Sequence, residues 1–203
     1  MTTRSFRGSS RLLRAAFLLT FWCPLLPASG GNLRTVQRTI HSYGHGDRTV
    51  SCLAIDGGLV PLILPNGAIL QPGSEIKILW PKDRSFATFR AASPREIALM
   101  DMMDKPQAPV HWKRYVAEII GDDADQYAVC DFQTNILAVN HWRMGMMAMD
   151  YSLLGVRSCC LLLLWRCRDG STITVIMRTG FSDYKTHCQE LFSMIGGAML
   201  MAE

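Results

Sequence analysis

The chain has 203 residues, 49% of them hydrophobic and 19% charged, with a formal net charge of +4. That length suits one domain with a substantial core and hardly two. The positive charge does not argue for nucleic-acid binding, because it sits in the first 30 residues: of 21 basic and 17 acidic residues, 17 and 17 remain once Arg4, Arg7, Arg11 and Arg14 are set aside.

Those four arginines form a basic segment, Ala15 to Leu26 is mostly apolar, and Pro27-Ala28-Ser29-Gly30 ends in small residues. The pattern is that of a secretory signal peptide cleaved near Gly30. Its apolar part is about a dozen residues, short of the ~20 that span a bilayer. Bulky Phe21 and Trp22 argue against a lipid anchor at Cys23. The expectation is an exported protein, periplasmic or secreted, that meets a membrane only during export. Six cysteines lie beyond the leader: Cys52, Cys130, Cys159, Cys160, Cys167 and Cys188. In an oxidising compartment they could form a disulfide or serve as small buried apolar groups, and the sequence does not choose a pairing. There is no CxxC pair, so neither a thioredoxin-like site nor a zinc ribbon is supported.

Residues 31–51 read as a polar arm or loop, and 52–203 as a single α+β domain. Asn32 to Val50 shows no clear period. It carries His41, His45 and Asp47, followed by Cys52, but Gly44 and Gly46 oppose the helix that would put both His on one face. From Cys52 to Arg90, dense Gly and Pro punctuation separates strand-length runs at Leu59 to Leu64, Ile76 to Trp80 and Phe86 to Arg90, with a hairpin across Pro81 to Ser85. Ser93-Pro94-Arg95-Glu96 announces a helix: Ser93 caps, Pro94 takes the first position and Glu96 completes a capping box. A second helix runs from Pro109 to Ile120, with Trp112, Tyr115, Val116 and Ile119 on one stripe and Gly121 as its stop. Asp122, Asp123 and Asp125 lack the central Gly and distal Glu of a calcium loop.

Strands follow at Ile136 to Arg143, Met146 to Leu153, Arg157 to Cys167 and Thr172 to Thr179, with Tyr127 to Phe132 as a fifth. Turns at Met144-Gly145, Gly155-Val156 and Asp169-Gly170 make neighbours antiparallel. With two-residue turns, Leu164 stands opposite Val175, Tyr151 opposite Cys160 and Trp142 opposite Met147. One face then collects Leu162, Leu164, Met147, Met149, Val175 and Met177, a continuous apolar surface for the helices. The last helix has Tyr184, Cys188, Leu191, Phe192 and Ile195 on one side and ends or frays at Gly196-Gly197. The expected fold is α+β: an antiparallel meander of four to five strands with helices on one face, preceded by short strands. The order of elements resembles Mog1/PsbP-like and NTF2-like folds, a likeness of fold that transfers no function.

The opposite face is mixed, apolar at Leu161, Leu163 and Trp165 and polar at its edges. Partial cover by residues 52–90 would leave a groove beside His141, Arg143, Asp150, Trp165 and Thr174, suited to a protein segment or a small apolar ligand. No cofactor is implied. His141 and Asp150 could work as a general-base pair in a small hydrolase, but no GxSxG or other nucleophile accompanies them. A copper-handling alternative rests on Met144, Met146 and His141, since thioethers suit Cu(I), whereas Met147 and Met149 alternate onto the core face. P-loop, GxGxxG and HExxH patterns are absent. The principal expectation is a binding or protein-interaction module rather than an enzyme.

Overall fold

Two antiparallel sheets carry the structure, a computed structural model that describes residues 33–42, 46–55, 58–73, 75–122, 124, 126–134, 143–167 and 170–201. The smaller sheet has three strands in the order β1 (Arg34–Ser42), β2 (Gly46–Ile55) and β3 (Gly58–Leu62). The stretch expected as a loop is therefore mostly a hairpin. Its β-branched residues, among them Thr35, Val36, Thr39, Thr49 and Val50, favour extended backbone. The side chains of residues 34–39 in β1 are exposed or half-buried, so no apolar alternation marks them. Burial becomes continuous only at Cys52, Leu53 and Ala54.

The larger sheet contains β4 (Ile69–Gln71), β5 (Ile76–Trp80) and β6 (Ser85–Ala91). After helices α1 (Pro94–Asp101) and α2 (Ala108–Ile120) it continues with β7 (Gln126–Thr134), β8 (Arg143–Leu153), β9 (Val156–Arg166) and β10 (Thr172–Gly180). Helix α3 (Tyr184–Met201) closes the chain. The seven strands lie in the order β4-β5-β6-β10-β9-β8-β7. Two local meanders, β4–β6 and β7–β10, thus meet along one ladder between β6 and β10. The mixed α+β class and the antiparallel meander are as expected; the larger strand count is not.

Registers correct the expected faces. The β8–β9 hairpin turns at Leu154-Gly155, not Gly155-Val156, which shifts the pairing by two and keeps the same residues on each face: Met147 lies opposite Leu162 and Met149 opposite Cys160. The β9–β10 connection is not a two-residue turn. The Cys167 N–H donates to the Ser171 carbonyl (2.8 Å), and the Gly170 N–H to the Cys167 carbonyl (3.0 Å), with Gly170 at φ +89°. A three-residue loop with a left-handed glycine accounts for this closure. It sets Leu163 opposite Val175 and Leu164 opposite Thr174, a shift of one that exchanges the faces of β10. Met144-Gly145 is no turn at all: β8 runs through it, paired with β7. Of the strand expected at Ile136 to Arg143, residues 136–142 lie outside the described residues and Arg143 opens β8.

Helices cover both faces rather than one. On the first face, Leu99, Met100 and Met103 from α1 and the turn after it, with Trp112 and Val116 of α2, pack on Met147, Met149, Cys160, Leu162 and Leu164. Gly145 makes this approach close: a Cβ there would lie 2.5 Å from Met103 Sδ and 3.1 Å from the Trp112 ring. On the second face, Leu191, Met194 and Ile195 of α3 join Leu53 and Leu62 of the smaller sheet, and Leu33 just before it, over Leu161, Leu163, Trp165, Val175 and Met177. Gly196-Gly197 does not end α3, which continues to Met201; neighbouring Met, Ile, Ala and Leu carry it past a cost of about 1 kcal/mol per glycine.

Candidate functional site

With both faces sealed, the sites open to solvent lie on the rim. At one end, Leu153 pairs with Val156 around a turn whose central residues, Leu154 and Gly155, have φ +51° and +76°. Positive φ at both centres is the type I′ arrangement, which suits the twist of a hairpin and favours Asn, Asp or Gly. Leu154 is 92% exposed, and Leu153, Val156 and Phe181 are exposed beside it. A leucine there gains nothing from burial and bears the left-handed cost of roughly 1–2 kcal/mol.

Arg157 fixes the base of this tip. Its Nε and Nη2 donate to Asp150 Oδ2 at 3.1 and 2.5 Å. Its guanidinium lies 3.6 Å from the Phe181 ring centroid, and its carbonyl accepts from the Phe181 N–H at 3.3 Å. An open depression of about 420 Å³ lies alongside, lined by Tyr127, Ala128, Asp150, Tyr151, Ser152 and Arg157. Close by, the ladder between β7 and β8 slips between Val129 and Asp131 and leaves Cys130 as the extra residue of a bulge. Cys130 Sγ lies 3.9 Å from Cys159 Sγ. The Cys159 thiol, helped by the Asp150 backbone N–H, lowers Cys130 to about 7 against the opposing effects of burial and the Asp150 carboxylate. Contact with Cys130 and burial push Cys159 strongly up.

Two further polar clusters fasten helices to the large sheet. Glu96 of α1 is fully buried. It accepts from Arg90 Nη1 and Nη2 (2.8 and 2.6 Å), the Ser93 N–H (2.7 Å), Ser93 Oγ (2.9 Å) and Tyr115 Oη (2.7 Å). Burial pushes this carboxyl up, but those donors outweigh it and hold it below its ordinary range. In α3, His187 Nε2 meets Asp83 Oδ2 at 2.6 Å and Nδ1 meets Glu190 Oε2 at 3.0 Å, with the Trp80 ring tilted against it, centroids 4.6 Å apart. Burial lowers the imidazole, yet the two carboxylates prevail and raise it. Both ring nitrogens are occupied, which leaves neither available as a base.

The five residues expected around a groove do not form one surface. His141 lies outside the described residues. Asp150 is at the rim, held by Arg157. Arg143 is on the other face, bonded to Asp104 after α1. Trp165 and Thr174 are fully buried, Trp165 under α3 and Thr174 beneath the α1–α2 layer, opposite Leu164 and Arg90. The supposed turn at Met144-Gly145 and the one-residue shift of β10 account for the mixed assignment. Met144 and Met146, the thioethers of the copper alternative, are buried in the core under α3. Among the described residues, no group of three or more His, Cys, Asp or Glu is placed to hold a metal ion, and no two cysteines lie at disulfide-bonding distance. No described helix is long and apolar enough to cross a membrane. Leu154, Arg157 and Cys130 were not among the residues expected at a site. The signal available was an apolar triplet, Leu153-Leu154 and Val156, crowded around one turn glycine.

No protein-family model matches the chain, and neither does any curated protein.

Proposed function

We propose that this is an exported, single-domain protein-interaction module that presents the β8–β9 hairpin tip to an apolar cleft of a protein partner. The carrying observation is Leu154, a 92% exposed leucine at φ +51°. Strained, exposed residues that contribute nothing to packing concentrate where a structure serves binding. Leu153, Val156 and Phe181 enlarge the patch, and the Asp150–Arg157 pair gives it a rigid polar border. A protein partner is favoured over a lipid surface because the chain beyond the leader is neutral and the one arginine of the tip is paired with Asp150. Export rests on the leader-like segment up to Gly30. The likeness of element order to Mog1/PsbP-like and NTF2-like folds belongs to the same reading and brings no activity with it.

The test is photo-crosslinking in the native cell from a reactive amino acid at position 156, with position 110 on α2, also exposed, as the control. A discrete adduct should form from 156 and not from 110, and Leu154→Asn should abolish it. The same substitution should raise the unfolding free energy by roughly 1 kcal/mol, since asparagine tolerates positive φ. An adduct that survives Leu154→Asn, or none from 156, refutes the reading.

A further inference from the structure

Strand geometry determines what the Cys130–Cys159 pair can do. β7 and β9 each neighbour β8 and not one another, so the two side chains meet across β8, beside the small Ala148. Strands two apart are separated by about 9.6 Å, whereas a disulfide needs Cα atoms about 4.4–6.8 Å apart. Shortening the 3.9 Å sulfur contact to a bond of about 2.05 Å would require β7 to move toward β9 against the intervening strand. The two thiols touch, yet the sheet withholds their disulfide. Their environments also differ. Cys130 is exposed and Cys159 is buried, so reagents reach the first and not the second. Of the two touching thiols, Cys130 is the more acidic and Cys159 the less. Burial shifts Cys52, Cys160 and Cys188 away from the thiolate.

We infer that Cys130 is a thiol-exchange site for small disulfides that stops at the mixed disulfide, with Cys159 as its positioning residue and not its resolving partner. The Cys130 thiolate attacks one sulfur of R–S–S–R. A Cys130–S–S–R bond forms, the original S–S bond breaks, and R–S⁻ leaves with the electron pair and takes a proton from water. No other oxidant is needed, and an external thiol reverses the step. Cys130 is exposed, so a small disulfide such as oxidised glutathione can reach its sulfur. This inference is independent of the hairpin-tip reading.

The test uses the full chain, reduced and freed of reductant, then incubated with oxidised glutathione over a pH series and followed by intact mass and peptide mapping. One glutathione adduct per chain should form, at Cys130, with a rate midpoint near pH 7; Cys130→Ser should abolish it. Cys159→Ala should move the midpoint toward the free-thiol value of about 8.5. At neutral pH it should slow the reaction about threefold, the thiolate fraction falling about fifteenfold and nucleophilicity recovering about fivefold. Cys159→Ser, which keeps a donor, should retain the wild-type midpoint and covers the case in which the alanine variant does not fold. Loss of two hydrogens through a Cys130–Cys159 bond, an adduct at another cysteine, no adduct at all, or an unmoved midpoint in Cys159→Ala overturns the inference.

Discussion

The two ionic clusters that fasten helices to the large sheet solve one problem with opposite charge logic. At the start of α1 a buried carboxylate gathers donors: a guanidinium, a phenol, a hydroxyl and a backbone N–H all converge on Glu96. In α3 a buried imidazole sits between two carboxylates, Asp83 and Glu190. Burial disfavours the charged form of both, the carboxylate in the first and the imidazolium in the second. In each, the partners oppose the desolvation that disfavours the charged form. Helices on the two faces are therefore tied down by groups that fail at opposite ends of the pH scale.

The comparison breaks most sharply at Glu96. Glu96→Gln leaves Arg90 half-buried without its carboxylate and should cost about 3 kcal/mol by denaturant titration, the low end for a broken buried pair because Arg90 keeps some solvent. His187→Gln should cost about 2 kcal/mol in mild acid, from lost charge-assisted bonds. The pH profile separates the clusters. The folded value of His187 is raised, so its contribution is complete below the ordinary value of 6.5 and is lost as pH rises through the folded value. Glu96 is depressed, so its contribution is present above 4.5 and is lost as pH falls through the folded value. His187→Gln should therefore flatten the neutral-to-alkaline decline in melting temperature and leave the acid limb unchanged. A decline that persists in His187→Gln would assign it to another group. The smallest effect probes packing rather than charge: Gly145→Ala should cost about 1–2 kcal/mol, because Met103 can turn aside from the new methyl but the Trp112 ring has less freedom. No measurable loss there would show that the α1–α2 layer sits more loosely on β8 than Gly145 implies.

The same contrast explains what could be read before the fold was known. Ser93-Pro94-Arg95-Glu96 is a local signal, so α1, its cap and the inward Glu96 Oε2 contact follow from four adjacent residues. Asp83 and His187 are 104 positions apart, and nothing near either one announces the other. Likewise, the faces of β8 and β9 survived a misplaced turn because the error was even. β10 changed sides because Cys167 and Ser171 close a longer loop than Asp169-Gly170 suggested. Gly145 was mistaken for a turn residue when its role is to admit Trp112. Of the expected site, Asp150 sits where a ligand could reach it, whereas Trp165 and Thr174 became core once helices occupied both faces.

The ladder between β6 and β10 has a consequence for how the molecule assembles. Every other pairing in the large sheet joins strands adjacent in sequence, whereas this one links Phe86–Ala91 to Ile173–Arg178. The entropy of loop closure is thus concentrated in a single zipper between two locally paired halves. One end of that zipper is locked by Ser85 Oγ to Thr179 Oγ1 at 2.8 Å and by Asp83 reaching His187. Of the pairings in the large sheet, the docking of the two meanders closes the longest loop, and the histidine clamp fastens one end of it.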